Sequence, residues 1–308
     1  MERIILDVDT GHDDAVAIEM AASHPGIRIE ALIAVNGNSP LHNTLENTLN
    51  LADALGIQAP VFAGSPAPLL RSRVNAPAIH GENGFAGPVF GPRKKQVQSG
   101  SAVEFIIRTV MDNPGQITFV SVGPYTDLAL ALRVEPRLAG ALKQIVVMGG
   151  TSGQGNVTPN AEFNIFADPE AAQIVLSCGA PIVMMGLDCT LQTIINPQLI
   201  EDIRKIGGRA SEIFCASMGF YAESCLKYIH DYPAMHDPCC IAYLIKPQLF
   251  SFTEETIEVD TKSELNYGRT SLMWKDPGHI VRFARRVDRE GFFELMRDCF
   301  RRLKEAGI

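Results

Sequence analysis

The sequence predicts an α/β fold: one large domain, residues 1–308, with a mostly parallel central sheet flanked by helices in a Rossmann-like arrangement. Three observations predict it. Apolar runs of strand length alternate with helix-like segments from Ile4 to Met185. Most of the loops between them are short, as βαβ crossovers allow. No internal repeat or low-complexity linker divides the chain.

The elements follow in order. Ile4–Val8 reads as a strand, and Ala15–Ser23 as a helix closed by His24-Pro25-Gly26. Ile29–Val35 reads as a strand, Leu41–Leu55 as a helix and Pro60–Ala63 as a short strand. Ala102–Met111 reads as a helix, Ile117–Val122 as a strand, Thr126–Leu132 as a helix and Ile145–Met148 as a strand. Asp168–Cys178 reads as a helix and Pro181–Met185 as a strand. Beyond Phe252 the pattern turns to β-like runs, Thr256–Val259 and Ile280–Phe283, and then to a closing helix from Arg289 to Ala306. The Pro- and Gly-rich stretch 65–100 reads as a long surface excursion, a lid in expectation.

Composition narrows the function. The net charge is −8 and no basic run exceeds Arg93-Lys94-Lys95, which argues against nucleic acid as a partner. No apolar stretch reaches the roughly 18 residues of a membrane span. Seven cysteines without paired spacing argue against a disulfide framework, and zinc spacings such as C-x-x-C are missing. With Arg3 already entering a strand and no basic-then-apolar leader, a cytoplasmic location is the expectation.

The chemistry concentrates at strand ends. In such sheets, ligands bind beyond the carboxyl ends of the strands. Asp7, Asp9, Asp13 and Asp14 crowd within eight residues there. Crowded carboxylates repel, and a cation or a hydroxyl-rich substrate is the simplest compensation. Helix capping can account for Asp13 and Asp14 but leaves Asp7 and Asp9 unexplained. An EF-hand fails on its Gly and Asp positions. A second constellation is Asn156, Glu162 and Asn164, whose amides and carboxylate suit adjacent sugar hydroxyls. It is closed by Asp168-Pro169, which reads as a helix cap. A third is His236-Asp237-Pro238, where capping and function compete for Asp237. His80, in Ile79-His80-Gly81-Glu82-Asn83, is a fourth. The glycine-rich stretch 149–155 fits neither a dinucleotide fingerprint nor a P-loop.

Together these motifs resemble the inosine-uridine preferring nucleoside hydrolases. The resemblance rests on D-x-D-x-G-x-D-D at Asp7–Asp14, Gly37-Asn38, the G-N-x-x-x-x-A-E-F-N stretch from Gly155 to Asn164 with its D-P-E-A-A continuation, and H-D-P at His236–Pro238. It covers nearly the whole chain. It implies the nucleoside hydrolase fold, one Ca2+ per subunit and hydrolysis of the N-glycosidic bond of ribonucleosides. By position, Asp9, Asp14, Asp237 and the carbonyl of Val122 match calcium ligands. Asp9 also matches the general base that activates the calcium-held water, and Asp7 a supporting carboxylate. Asp13, Asn156, Glu162 and Asn164 match ribose ligands, with Asn38 and Met148 beside them and Phe163 lining the pocket. His236 matches the histidine near the leaving base, and His80 one found in pyrimidine-preferring members. Homodimers or homotetramers are common in the family. Thr10 stands where the family usually has Pro, which changes loop stiffness and removes no ligand.

The residue types suit that reaction. Cleavage leaves oxocarbenium-like charge on the ribose, water needs a base, and the leaving base needs a hydrogen-bond donor. Direct attack by water implies inversion at C1′. Tyr221, Tyr228 and His230, on a helix-like stretch before Asp237, are placed to close over the base or simply to pack. Two other readings compete. Asp7-Val8-Asp9-Thr10 begins like the first motif of haloacid-dehalogenase-like phosphatases, but Gly11 breaks it. The other is a non-catalytic, calcium-stabilised ribonucleoside binder.

Overall fold

The computed structural model describes residues 1–273 and 279–308. The central sheet contains β1 (Glu2–Val8), β2 (Ile27–Ala34), β3 (Val61–Ala63), β4 (Ile117–Ser121), β5 (Gln144–Met148), β6 (Ile182–Met185), β7 (Phe250–Val259), β8 (Thr270–Met273) and β9 (Val281–Val287). Their spatial order is β3-β2-β1-β4-β5-β6-β9-β7-β8. All neighbours from β3 to β9 pair in parallel. Only β7, between β9 and β8, runs antiparallel to its neighbours. The winding direction reverses between β1 and β4. That reversal opens a crevice at the carboxyl ends of the strands.

The continuous apolar runs have a direct cause. Alternate side chains of each central strand enter different cores. Ile4, Leu6 and Val8 of β1 join Val120, Val146 and Val183 in one core, under the helices His12–Ser23, Pro238–Ile245 and Arg289–Glu305. Ile5 joins Phe119, Ile145, Val147 and Met184 in the other, under Ala102–Met111, Thr126–Val134 and Pro169–Leu176. A strand covered on both faces must be apolar at successive positions. Each such side chain contributes about 1.5–3 kcal/mol by leaving water.

Several boundaries differ from expectation. The first helix begins at His12 rather than Ala15. The cause is Asp14, whose carboxylate accepts from the N–H of Asp9 (3.0 Å) and of Gly11 (2.9 Å) and so satisfies donors at the helix start. β7 begins at Phe250, six positions before the expected Thr256, and bulges between Ser251 and Phe252. The bulge breaks the alternation that would have betrayed it. Helices Pro197–Ile206 and Arg209–Tyr228 fill the stretch before Asp237. Tyr221 and Tyr228 lie on the second of these, and His230 lies just past it in the left-handed region (φ 65°).

The excursion 65–100 forms a wall. It carries one short helix, Pro77–His80, and is tied to the strand ends by side-chain amides. Asn75 donates to the carbonyl of Gly37 (2.6 Å), and Asn47 donates to that of Asn83 (2.8 Å). No helix among the described residues is long and apolar enough to cross a membrane.

Candidate active site

The crevice between β1 and β4 holds a cavity of about 330 Å3. Asp9 follows β1, Asn38 follows β2, Val122 follows β4 and Met148 ends β5. The helix starts at Asp13 and Asp237 close the floor. Of the side chains singled out by sequence, Asp9, Asp13, Asn38, His80, Val122, Met148, Asn156, Glu162, Phe163, Asn164, Tyr221, His236 and Asp237 all line it. Asp14 lies beneath, fully buried. Tyr228 does not reach the cavity: it is 52% exposed near the end of its helix, and Ile229 lines the mouth instead.

The floor is a knot of buried acids. One carboxylate oxygen from each of Asp13, Asp14 and Asp237 lies within 4.8 Å of the others. Asp9 sits against Asp14, and its Oδ2 accepts the N–H of Asn38 at 2.7 Å. Asp14 also accepts from Asn38 Nδ2 (3.2 Å). Asp237 occupies the cap position of the helix Pro238–Ile245, yet its side chain caps nothing. Asp168, by contrast, caps its helix through the N–H of Ala171 (3.1 Å), as its Asp-Pro pattern predicts.

Burial, reinforced by neighbouring carboxylates, pushes the carboxyls of Asp9 and Asp237 well above their usual range. Asp13 is pushed up to about 7, by burial first and Asp14 second. Asp7 lies under the site near Asp127 and is raised by burial and by that neighbour. Among the described residues no Lys or Arg lines the cavity. A hard divalent cation fits this donor set, which is all oxygen and strongly anionic. It would relieve a repulsion that no protein cation relieves.

The second wall carries the amides. Glu162 caps the short helix Phe163–Ala167, accepting from the N–H of Asn164 (3.0 Å) and Ile165 (3.2 Å) and also from Gly150 (3.0 Å). Burial still raises it to about 7. Asn164 donates to the carbonyls of Val122 (2.6 Å) and Met148 (3.2 Å). The Val122 carbonyl, matched above to an ion ligand, therefore already has an amide on it. The Oδ1 of Asn156 accepts the N–H of Phe163 (2.9 Å).

Two histidines face the open side. His236 is paired through Nδ1 with the hydroxyl of Thr190 (2.7 Å), and burial lowers it to about 4. His80 is lowered well below the ordinary value by burial, then by His12 and His236. His12, Thr190 and Asn75 were not legible as site residues. His12 lay inside the acidic motif without a pattern of its own, and the other two lie in segments that carry none.

Side-chain amides beside a buried acidic floor at the switch point of a parallel sheet suit a ribonucleoside hydrolase, an enzyme that hydrolyses N-glycosidic bonds, and similarity to known proteins shows that class. The chain belongs to the inosine-uridine preferring nucleoside hydrolase family, whose family model matches residues 4–294. It is 44% identical over 305 residues to the pyrimidine-specific ribonucleoside hydrolase RihB of Escherichia coli K12, covering 97% of each chain. The corresponding protein of Shigella sonnei is also 44% identical, with the same coverage. Among solved structures, the purine-preferring ribonucleoside hydrolase from Gardnerella vaginalis superimposes with a TM-score of 0.94 at 29% identity, covering 99% of this chain and 100% of that one. The plant nucleoside hydrolase PpNRh1 gives 0.90 at 31%, covering 97% and 98%.

Proposed function

We propose that this enzyme hydrolyses pyrimidine ribonucleosides, uridine and cytidine, with weaker action on inosine, and that calcium is its ion. One observation carries the substrate reading: His80 and His236 both line the cavity whose floor is the acid cluster. Two histidines there suit a leaving base with carbonyl and N–H edges, which uracil and hypoxanthine share, and the relatives tip the reading toward pyrimidines. The 44% identity to a pyrimidine-specific relative supports it.

In this reading Asp9, Asp14 and Asp237, with the Val122 carbonyl and Asp13 close by, would hold the ion. Bound there, calcium supplies Lewis acidity that lowers the pKa of water. The protein does the rest. Asp9 takes the proton of the attacking water, and the N–H of Asn38 keeps its carboxylate aimed. Asp13 and Asn164 bind the 2′- and 3′-hydroxyls, and Asn156 and Glu162 fix the rest of the ribose. Phe163 and Met148 shield the developing oxocarbenium from solvent. His236 and His80 contact the departing base.

The deciding experiment incubates the calcium-loaded enzyme with uridine, cytidine, inosine, 2′-deoxyuridine and a panel of phosphomonoesters. Free uracil and cytosine are expected, released faster than hypoxanthine. Deoxyuridine should be slower by up to ~10⁴-fold, because a site built for a hydroxyl rejects its absence. Faster release of hypoxanthine than of uracil would overturn the pyrimidine assignment.

A further inference from the structure

His12 is buried in the first turn of its helix, and the mechanism above gives it no task. Its ring is boxed by aromatic neighbours. Centroids of Tyr221, His80, Phe85 and Phe220 lie 4.7, 5.2, 5.6 and 5.7 Å away. Both ring nitrogens are engaged. Nε2 lies 3.0 Å from the carbonyl oxygen of Ala86, and Nδ1 lies 3.1 Å from Nδ1 of His80.

These contacts fix the direction of every hydrogen. A carbonyl can only accept, so Nε2 of His12 must carry a hydrogen. A neutral imidazole carries one N–H, so Nδ1 of His12 is bare. The hydrogen between the two rings therefore sits on Nδ1 of His80. His80, neutral in turn, has its lone pair on Nε2. His80 lines the cavity, and no protein group bonds that nitrogen among the described residues. Burial away from water disfavours charge on His12, which would reverse the chain.

We propose that His12 is a positioning residue: anchored on the Ala86 carbonyl, it locks His80 in the Nδ1–H tautomer and so presents Nε2 alone to the nucleobase. The proposal rests on the role given to His80 above. A freely solvated imidazole can exchange tautomers or flip its ring, and His12 removes both freedoms. The Nε2 lone pair then suits an N–H on the base, which uracil offers at N3 and cytosine at its amino group.

The first measurement needs no substrate. Long-range 1H–15N spectra of the 15N-histidine-labelled wild-type enzyme, assigned with His80→Gln, report each tautomer. His80 is expected as Nδ1–H and His12 as Nε2–H. An Nε2–H tautomer for His80 overturns the proposal, whatever the enzyme's base preference proves to be. The second is kinetic, on whichever ribonucleoside is turned over fastest. His12→Phe keeps the ring stack and removes the acceptor, and should lower kcat about tenfold with little change in KM. His12→Asn, whose Oδ1 overlays the lost Nδ1, should recover most of that loss. In a His80→Ala background, His12→Phe should cost nothing further. An equal loss in that background, or no advantage of Asn over Phe, would show that His12 serves packing alone.

Discussion

Asp237 stands at the start of a helix and leaves the backbone there uncapped, spending its carboxylate on the acid cluster instead. The local pattern taken alone left that choice even, because Asp-Pro at a helix start is common for capping alone; the neighbouring His236 and the family resemblance tipped it toward the ion. Asp168 shows the other outcome from the same two letters. The difference lies in what each carboxylate meets in space, which no local pattern carries. The same limit hid His12, whose partners His80 and Ala86 are 68 and 74 positions away. It misplaced Tyr228, which lies about two turns beyond Tyr221, at the end of the helix and past the edge of the cavity. Asp9 is the residue with most at stake. Asp9→Ala should lower kcat by about 10³-fold or more through loss of the base, while circular dichroism stays native. Near-normal turnover would remove it from that role. His80→Ala should cost uridine hydrolysis more than inosine hydrolysis. Equal losses in kcat/KM would leave His80 without a part in base selection.

At the level of elements, the strands were the most legible feature. Ile145–Met148 is apolar at every position, and Ile4–Val8 at every position but Asp7, because both sheet faces are covered. The edge strands β7 and β8 were less legible, since β7 is only half-buried and a bulge shifts its register against β9. The loop after β2 shows how tightly elements are fitted to the chemistry. A Cβ on Gly37 would stand 2.0 Å from Oδ2 of Asp9, and one on Gly123 would stand 2.8 Å from its Oδ1. Backbone from two strand ends thus grips one carboxylate from both sides. Gly37→Ala must displace either that carboxylate or the loop that donates to it. A shift near 1 Å at a reacting group costs on the order of 10²-fold in rate. We therefore expect kcat/KM to fall about a hundredfold with an unchanged thermal midpoint. Wild-type kinetics would mean that the loop yields freely.

Across the whole molecule, the acid cluster couples stability to ion binding. Asp13 and Glu162 are pushed up to about 7 and Asp127 to about 6 by burial. Folded pKa values above the unfolded ones mean that, without an ion, each group contributes stability at low pH. That contribution is lost as pH rises from about 4 towards 6 or 7. Of these three groups Asp13 belongs to the cluster, and an ion there needs its carboxylate deprotonated, so it competes with protons below about pH 7 and not above it. The rise in thermal midpoint on adding calcium to chelator-treated protein should accordingly be larger at pH 8 than at pH 5.5. Chelation should also abolish turnover, with calcium restoring it. A calcium increment identical at both pH values would separate the ion from these carboxylates.

That no Lys or Arg lines the cavity among the described residues has a consequence for phosphorylated substrates. With the 2′- and 3′-hydroxyls at the ion, a 5′-phosphate would meet Glu162 on the second wall, and like charges pressed together cost several kcal/mol. Uridine 5′-monophosphate should be ignored where uridine is consumed. On the proposed reading, the phosphate must be removed before the glycosidic bond can be cut.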